Sequence, residues 1–426
     1  MTIHYKKIGT TRYGGKIYFL EADNPYEIPA IRIFVSSRIK PEDGKNKESL
    51  KGISTLGFID YTNEGNYDVK KYVKKITSFF HGDIGEMGYT GLFISGISRA
   101  LSFLCWIPIG SLRGIQGVGT ERSLRYLSAK SFISHETPKL KNLEKEAFEL
   151  YENLKDVGVP KEDSRTVLPL STSTELILQI PVGRELEKWA NYLLYNVSYL
   201  PEAAEIGKLV KNWNKEYSGF EVPEDEVVYS KFSLRKEESM LNNYLSSVKG
   251  EIPDFYFDRK TMAVLANWKN GVPIFSAHQD VRNRQVYHLW SSWEEVVKST
   301  KFYIPNTIRK TKFEERVKNL YKRAYKLGLE FLEDNKPELA IYSQPLSKKF
   351  EYISLISQLE NIEYTVKLRT CLRAQEEIRS RYWKLATFLR KNGFPKKLGP
   401  RCMTKGKCFE PNKETCPMYK HFIKKK

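Results

Sequence analysis

Near the C-terminus, hydrophobic and polar positions follow a helical period between Leu368 and Arg379. The residues Leu368, Leu372, Gln375 and Ile378 recur three or four positions apart, and the basic residues Arg369, Arg373 and Arg379 fall on the remaining faces. Because residues at this spacing share one face of an α-helix, the pattern predicts a single amphipathic helix over the whole stretch.

Similar patterns predict short strands and further helices along the rest of the chain. The apolar stretch Gly91–Ile109 precedes a Thr- and Ser-rich segment, Ser171–Gln179, which we interpret as a strand. One helix is expected to begin near Gly183 and another to span Asn361–Arg381. Helices that alternate with a few short strands predict the α+β class.

Length and charge limit the classes of protein that the chain can form. Its 426 residues favour two domains, and 41% hydrophobic with 13% aromatic residues indicate a packed globular protein. A net charge of +19 favours either phosphate-bearing ligands or a basic solvated surface. The apolar run Leu101–Gly110 is too short to cross a bilayer, and the N-terminus lacks a signal pattern, so we expect a cytoplasmic protein.

Four of the five cysteines lie close to the C-terminus, at Cys371, Cys402, Cys408 and Cys416. The spacing C-x5-C-x7-C of the last three matches no defined metal-binding signature. Four thiolates could nevertheless hold zinc or an iron–sulfur cluster, because tetrahedral sites take four soft ligands. The alternative is a set of reduced thiols or a disulfide.

The two halves of the chain repeat an order of features, which predicts a duplication at the scale of a domain. The segment Lys161–Leu170 precedes the predicted strand of the first half, and Glu338–Leu346 precedes the predicted helix of the second. The polar stretch 219–226, which contains Pro223, is the expected joint. We therefore predict a first domain at 1–222, a second at 223–398 and a basic cysteine-containing tail at 399–426.

The second half resembles the flavin-dependent thymidylate synthases. That family carries the signature R-H-R-x7-S-x-R and a terminal LR-x4-AQ-x-EI motif, and the latter is similar to Leu368–Ile378. Arg282 and Arg284 match the two arginines of R-H-R, whereas Asn283 replaces the histidine. Three other positions depart from the family: Glu294, Ile341 and Glu360 stand where arginines are expected.

The first half resembles the same family but lacks the complementary positions. Trp106-Ile107-Pro108 stands in place of R-H-R, while the stretch Glu121–Tyr126 is similar to E-x-S-x-R-Y. Arg165 and Arg184 match the later arginines, and the terminal motif has decayed to 201–206. Each half therefore resembles half of a site, as expected if complete sites form where unlike halves meet.

The resemblance implies roles for particular residues. For the chemistry itself it implies Arg369, Ser123 and Arg125; we do not assign Ser123 as a nucleophile, because its position in a turn suits orienting the nucleotide equally well. For dUMP binding it implies Gln279, Arg282, Glu121, Ser123, Arg125, Arg165 and Arg369. For FAD it implies His81, Glu86, Arg184, Arg282, Asn283 and Arg284.

The resemblance further implies an enzyme that methylates dUMP to dTMP with FAD, methylenetetrahydrofolate and NADPH. The family is homotetrameric, so a fused chain is expected to form a homodimer of four domains. A first alternative is a catalytically impaired paralogue that keeps a flavin or nucleotide pocket. A second is a basic nucleic-acid-binding protein, which we disfavour because the basic residues are spread along the chain and no binding module is recognised.

Overall fold

The α+β class predicted from the sequence is confirmed. The structure is a computed structural model and describes residues 3–22, 54–64, 90–109, 115, 117–125, 127–181, 184–218, 253–283, 286–408, 410 and 413–423. It divides into two compact units, unit 1 with residues 1–236 and 302–347 and unit 2 with residues 237–301 and 348–426. Residues 302–347 come from the second half of the sequence but belong to unit 1.

Strands and helices alternate through the described residues. The strands are β1 (Ile3–Thr10), β2 (Lys16–Ala22), β3 (Thr90–Ser98), β4 (Val118–Glu121), β5 (Ser173–Gln179), β6 (Phe255–Asp258), β7 (Ala263–Asn267), β8 (Val272–Pro273), β9 (Val286–Trp290), β10 (Lys349–Phe350) and β11 (Tyr352–Ser357). The helices are α1 (Thr55–Asn63), α2 (Arg99–Trp106), α3 (Pro138–Asp156), α4 (Lys161–Ser164), α5 (Arg184–Asn191), α6 (Pro201–Ser218), α7 (Ile274–Asp280), α8 (Trp293–Lys298), α9 (Asn306–Arg309), α10 (Glu314–Glu333), α11 (Pro337–Tyr342), α12 (Leu359–Arg369), α13 (Glu376–Lys391), α14 (Arg401–Lys405) and α15 (Pro417–Phe422). Short 3-10 turns occur at Arg165–Val167 and Lys413–Thr415, and a π turn at Tyr192–Asn196.

Unit 1 is built on an antiparallel sheet whose strand order is β1–β2–β3–β5–β4. Strand β5 confirms the strand predicted over Ser171–Gln179, and α5 confirms the helix expected near Gly183. Helix α1 covers one face of the sheet, and its last residue, Asn63, exchanges two hydrogen bonds with the backbone of Ile3. The buried apolar cluster under α1 consists of Ile3, Tyr18, Leu20, Ile59, Phe93, Val118 and Ile177. Each such side chain contributes about 1.5–3 kcal/mol by leaving water.

An internal symmetry within unit 1 supports the predicted duplication. Pro169 forms an antiparallel bridge with Pro345, 176 positions later (345 minus 169). The flanking hydrogen bonds run from Leu170 N–H to the Gln344 carbonyl oxygen (2.8 Å) and from Leu346 N–H to the Leu168 carbonyl oxygen (2.9 Å). The two bonds are equivalent: Leu170 corresponds to Leu346, and Leu168 corresponds to Gln344, when the two segments are exchanged. Helices α3 and α10 also begin 176 positions apart (314 minus 138), so Ile341 is the counterpart of Arg165.

Unit 2 contains a four-stranded antiparallel sheet in the order β6–β7–β11–β9 and a two-stranded β8–β10 pair. On its inner face Trp268 donates from its indole N–H to Ser354 Oγ at 3.1 Å and packs edge-on against Phe255. Helix α13 packs on this face through Phe388 and Tyr382. This packing fixes the position of α13, whose first turn contains the end of the Leu368–Arg379 motif.

The single helix predicted over Leu368–Arg379 is wrong. Helix α12 ends at Arg369, and α13 begins only at Glu376. Side chains from α13 bind the carbonyl oxygens that would have continued α12: Trp383 Nε1 donates to the Thr370 oxygen at 3.1 Å and Arg379 donates to the Ala374 oxygen at 3.1 Å. The helix predicted over Asn361–Arg381 is interrupted at the same turn. These side-chain donors bind carbonyl oxygens that a continued helix would have bonded to backbone N–H groups, so the chain forms a turn between α12 and α13.

Among the described residues, no helix combines the length and the hydropathy that a membrane span requires.

Candidate functional site

In unit 1, a buried ion pair anchors the residues predicted from the first half. Arg99 begins α2 and donates to Glu121 Oε1 at 2.5 Å and to the Arg122 carbonyl oxygen at 2.6 Å. The Thr174 hydroxyl donates to the same carboxylate oxygen at 3.1 Å. The Arg99 and Glu121 side chains are 5% and 4% exposed, so each needs the other to offset its lost hydration. Glu121, predicted to contact dUMP, is therefore bound to Arg99.

Arg165 lies beside this ion pair, in the 3-10 turn after α4. Its Nε donates to the Glu162 carbonyl oxygen at 3.2 Å, and the residue is only 6% exposed. Burial, and next the guanidinium groups of Arg125 and Arg99, lower the pKa of Arg165 to about 9. The carboxylates of Glu162 and Glu121 oppose this shift without cancelling it. Arg165 thus lies near two further guanidinium groups, and an anion bound nearby would stabilise its charged form.

Ser123 and Arg125 form the turn that follows β4. The Arg125 backbone N–H donates to Ser123 Oγ at 3.3 Å, and Leu127 N–H donates to the Ser123 carbonyl oxygen at 3.0 Å. A serine that accepts a backbone hydrogen bond two residues on stabilises a turn. The Ser123 hydroxyl therefore helps to position Arg125, and its orienting role toward the nucleotide stays a prediction.

In unit 2, the predicted residues Arg369 and Gln279 lie together with Gln375. The Arg369 Nη2 donates to the Gln279 carbonyl oxygen at 2.6 Å. The Gln279 side chain in turn donates to Gln375 Oε1 at 3.3 Å. Gln279 lies on α7, Arg369 is the last residue of α12, and Gln375 is the N-cap of α13. The turn that breaks the predicted helix therefore joins the parts of this cluster.

Arg369 also contacts a buried network of charged side chains. Asp280 Oδ1 lies 3.5 Å from Arg369 Nε, and Asp280 Oδ2 accepts from Arg381 Nη2 at 2.8 Å. Arg381 also donates to Glu377 Oε1 at 2.7 Å and to Ser276 Oγ at 2.6 Å. Although burial alone would lower the pKa of Arg381, Glu377 and Asp280 raise it above its ordinary value. The two arginines and two carboxylates balance in charge.

Arg282 and Asn283 follow this network along the chain. Both are partly buried. The Asn283 side chain donates from Nδ2 to Thr365 Oγ1 at 2.6 Å, which ties it to α12. Asparagine thus supplies a neutral hydrogen-bonding group at the position where the family has a histidine, and it cannot carry the charge that histidine can.

Several residues assigned by resemblance lie outside the described part of the chain. These are His81, Glu86 and Arg284, together with the turn residue Tyr126 and the predicted joint at 219–226. Arg184 begins α5, but its side chain is not among those described. Their roles stay predictions.

The structure does not assemble the predicted four-cysteine metal site. All four cysteines are described and are free thiols. Among the described residues, no three or more His, Cys, Asp or Glu side chains are grouped to hold a metal ion. Burial, and next the neighbouring thiols, raise the pKa of Cys402 to about 11.

Sequence reasoning missed Arg99, Asp280 and Arg381. Arg99 is the only charged residue in the apolar stretch Gly91–Ile109, and a charge in such a stretch requires a buried partner. That signal was available, whereas nothing in the sequence pairs Asp280 with Arg381 across 101 positions. These three residues position the predicted ones.

Comparison with known proteins identifies the family. A family model described as thymidylate synthase complementing protein matches residues 30–191 and 263–395, which together exceed half of the chain. No curated protein matches. Among solved structures, the UMP/dUMP methylase PolB from Streptomyces cacaoi, bound with 5-Br dUMP, is 14% identical, with a TM-score of 0.23 over 51% of this chain and 95% of that one. The two regions matched by the family model confirm the predicted tandem duplication, and the chain belongs to the thymidylate synthase complementing protein family.

Proposed function

We propose that the protein is a thymidylate synthase that methylates dUMP to dTMP, with methylenetetrahydrofolate as the carbon donor, FAD as the cofactor and NADPH as the reductant. Family membership supports a thymidylate synthase-like function. The residues of each unit support the choice of a phosphorylated pyrimidine as the ligand.

The observation that carries the proposal is the arginine cluster of unit 1. Arg165 is buried beside two further guanidinium groups, and its lowered pKa reflects that environment. Such a cluster is stabilised by an anion, and arginine forks match the oxygens of a phosphate. The monophosphate of dUMP is therefore the part of the substrate that we assign to Arg125 and Arg165.

The cluster of unit 2 suits a pyrimidine base. The Gln279 carbonyl and Asp280 hold two nitrogens of the Arg369 guanidinium, which fixes the plane of the group. A fixed donor group can hydrogen-bond a pyrimidine carbonyl and stabilise negative charge that develops there during methyl transfer. We assign Arg369 and Gln279 to the base of dUMP.

The described residues also fit part of an FAD site. The partly buried Arg282 carries guanidinium donors of the kind that bind a pyrophosphate, and Asn283 adds a neutral amide held by Thr365. FAD would supply the redox chemistry that amino-acid side chains lack. Arg282 would bind and orient the cofactor.

Calorimetric titration with dUMP tests the nucleotide site directly. We expect binding by the purified protein, abolished in Arg369→Ala and in Arg125→Ala. Arg373→Ala is the matched control, because Arg373 is 56% exposed, lies four residues from Arg369 and pairs with Glu410. Unchanged dUMP affinity in either of the first two variants would contradict the assignment of that arginine to dUMP binding.

A second candidate function is a non-catalytic protein that binds dUMP or flavin. Asn283 at the position of the family histidine favours it, as does Ile341 opposite Arg165 in the internal symmetry. Release of tritium from dUMP labelled at C5, with folate and NADPH supplied, separates the two. Release supports the enzyme, and flavin absorbance with dUMP binding but no release supports the binding protein.

We further propose a homodimer as the assembly. Light scattering after size exclusion should give twice the chain mass of 49.6 kDa. A mass equal to one chain at micromolar concentration would contradict this assembly.

A further inference from the structure

The positive charge of the protein is concentrated at one end of the sequence. Residues 379–426 contain 15 Lys and Arg against 2 Asp and Glu, a net charge of +13 (15 minus 2) out of +19 for the whole chain. Between residues 382 and 409 there are eight basic residues and no acidic one. The expectation that basic residues are spread along the chain is therefore wrong in terms of net charge.

The lysines of this region are exposed and form no ion pair within the described part of the chain. They are Lys384, Lys391, Lys396, Lys397, Lys405 and Lys407, which we call the basic surface of unit 2. In unit 1, by contrast, Lys318 on α10 pairs with both Glu314 and Glu315. Paired lysines neutralise their own field, whereas the basic surface retains a positive potential that attracts polyanions.

Two aromatic side chains lie among these lysines on α13. A shallow groove of about 560 Å³ is lined by Ser380, Trp383, Lys384, Thr387, Phe388 and Lys391. Their spacing of three or four residues places them on one face of the helix. The indole of Trp383 is fixed by its bond to the Thr370 oxygen and by Arg390, whose guanidinium carbon lies 5.2 Å from the ring centre.

We propose that the basic surface of unit 2 binds single-stranded nucleic acid. The lysines contact phosphates, and the partly exposed rings of Trp383 and Phe388 stack on bases. This combination of cations with fixed aromatic rings is how proteins bind single strands without reading their sequence. A duplex buries its bases and would leave the rings without partners, so the single strand is the better match.

Fluorescence anisotropy with a labelled 20-nucleotide oligothymidylate tests the proposal. The triple variant Lys384→Glu, Lys391→Glu and Lys397→Glu should bind at least about tenfold more weakly at 100 mM salt. The slope of log K against log salt should also fall by about 0.7 for each phosphate that the variant no longer neutralises. The matched control reverses three exposed lysines of unit 1, Lys145, Lys322 and Lys326, and should bind as the parent does.

Further measurements distinguish the alternatives. The triple variant should bind dUMP normally, which separates this surface from the proposed enzyme function. Trp383→Ala should weaken oligonucleotide binding without altering the salt slope. Equal affinity for a 20-base-pair duplex, an equal fall in affinity for the unit 1 control, or binding only to vesicles containing anionic lipid would each overturn the proposal.

Discussion

The two units handle buried charge in opposite ways. In unit 1, Arg165 lies beside Arg125 and Arg99, and its pKa falls to about 9. In unit 2, Arg381 lies between Asp280 and Glu377, which raise its pKa. The first arrangement places guanidinium groups beside one another, while the second alternates arginines with carboxylates. The comparison shows that burial beside other guanidinium groups lowers the pKa of a buried arginine, whereas two neighbouring carboxylates more than offset burial.

Buried carboxyl groups show the same contrast. Glu202 in unit 1 is fully buried and accepts hydrogen bonds from the Ser98 hydroxyl, the Ser98 N–H and the Tyr342 hydroxyl. Burial raises its pKa to about 7 despite these donors. Asp280 in unit 2 is equally buried but contacts two arginines. Neutral donors thus leave Glu202 close to protonation at neutral pH.

The largest effect is expected from Arg381→Met. The variant leaves Glu377 buried without its cation and Asp280 with Arg369 alone, and it should lower the free energy of unfolding by about 3–5 kcal/mol. Urea denaturation followed by circular dichroism measures it, with Lys384→Met on the same helix as control. Adding Asp280→Asn and Glu377→Gln should restore part of the stability. A decrease below about 1 kcal/mol for Arg381→Met, the range of an exposed pair, would show that the network of unit 2 is not the structural support described.

Glu202→Gln should change how stability depends on pH. Because the folded-state pKa of Glu202 is raised, its contribution is fully present below its ordinary pKa of 4.5 and is lost as pH rises through about 7. The unfolding free energy of the parent minus that of the variant should therefore fall by about 3 kcal/mol between pH 4 and pH 8, because only the parent titrates. Thermal unfolding at several pH values gives this difference, and a constant difference would rule out the assignment.

Arg165→Met should weaken dUMP binding by about 100-fold, or about 2.7 kcal/mol, because it removes a charge-assisted contact. Unlike Arg381→Met, it should leave the melting temperature unchanged or higher, since burial disfavours the charge of Arg165. Titration calorimetry and thermal unfolding measure the two effects. A large fall in the melting temperature with unchanged dUMP affinity would show that Arg165 supports the fold and does not bind the ligand.

The smallest effect is expected from an exposed pair. Arg316 on α10 lies 3.4 Å from Glu149 on α3, and both side chains are about half exposed. Water and salt screen such pairs, so Arg316→Ala should cost at most about 1 kcal/mol. If urea denaturation gave a decrease comparable to that of Arg381→Met, burial would not explain the difference between the two ion pairs.

Local sequence patterns predicted single elements better than the connections between them. Strand β5 and the start of α5 follow from patterns within a few residues. The break between α12 and α13 does not, because it depends on Trp383 and Arg379 binding carbonyl oxygens of the preceding turn. The helical period continues across the turn, so periodicity alone could not reveal it.

The same distinction between local patterns and distant contacts applies to the candidate site. Family motifs identified Arg165, Gln279 and Arg369, which the structure places in two clusters. The residues that hold them came only from the structure, since Arg99 pairs across 22 positions and Arg381 across 101. Family motifs predict which side chains bind a ligand, but the side chains that hold them in place lie far away in the sequence.

The bridge between Pro169 and Pro345 has a consequence for how this protein can change. In a symmetric dimer of identical chains, one mutation alters both sides of the axis at once. Here the two sides are encoded separately, so a residue can disappear from one while its counterpart is retained. Arg165 and Ile341 are such a pair. Because the two copies lie in one chain, each can mutate independently of the other, and selection can act on each side alone.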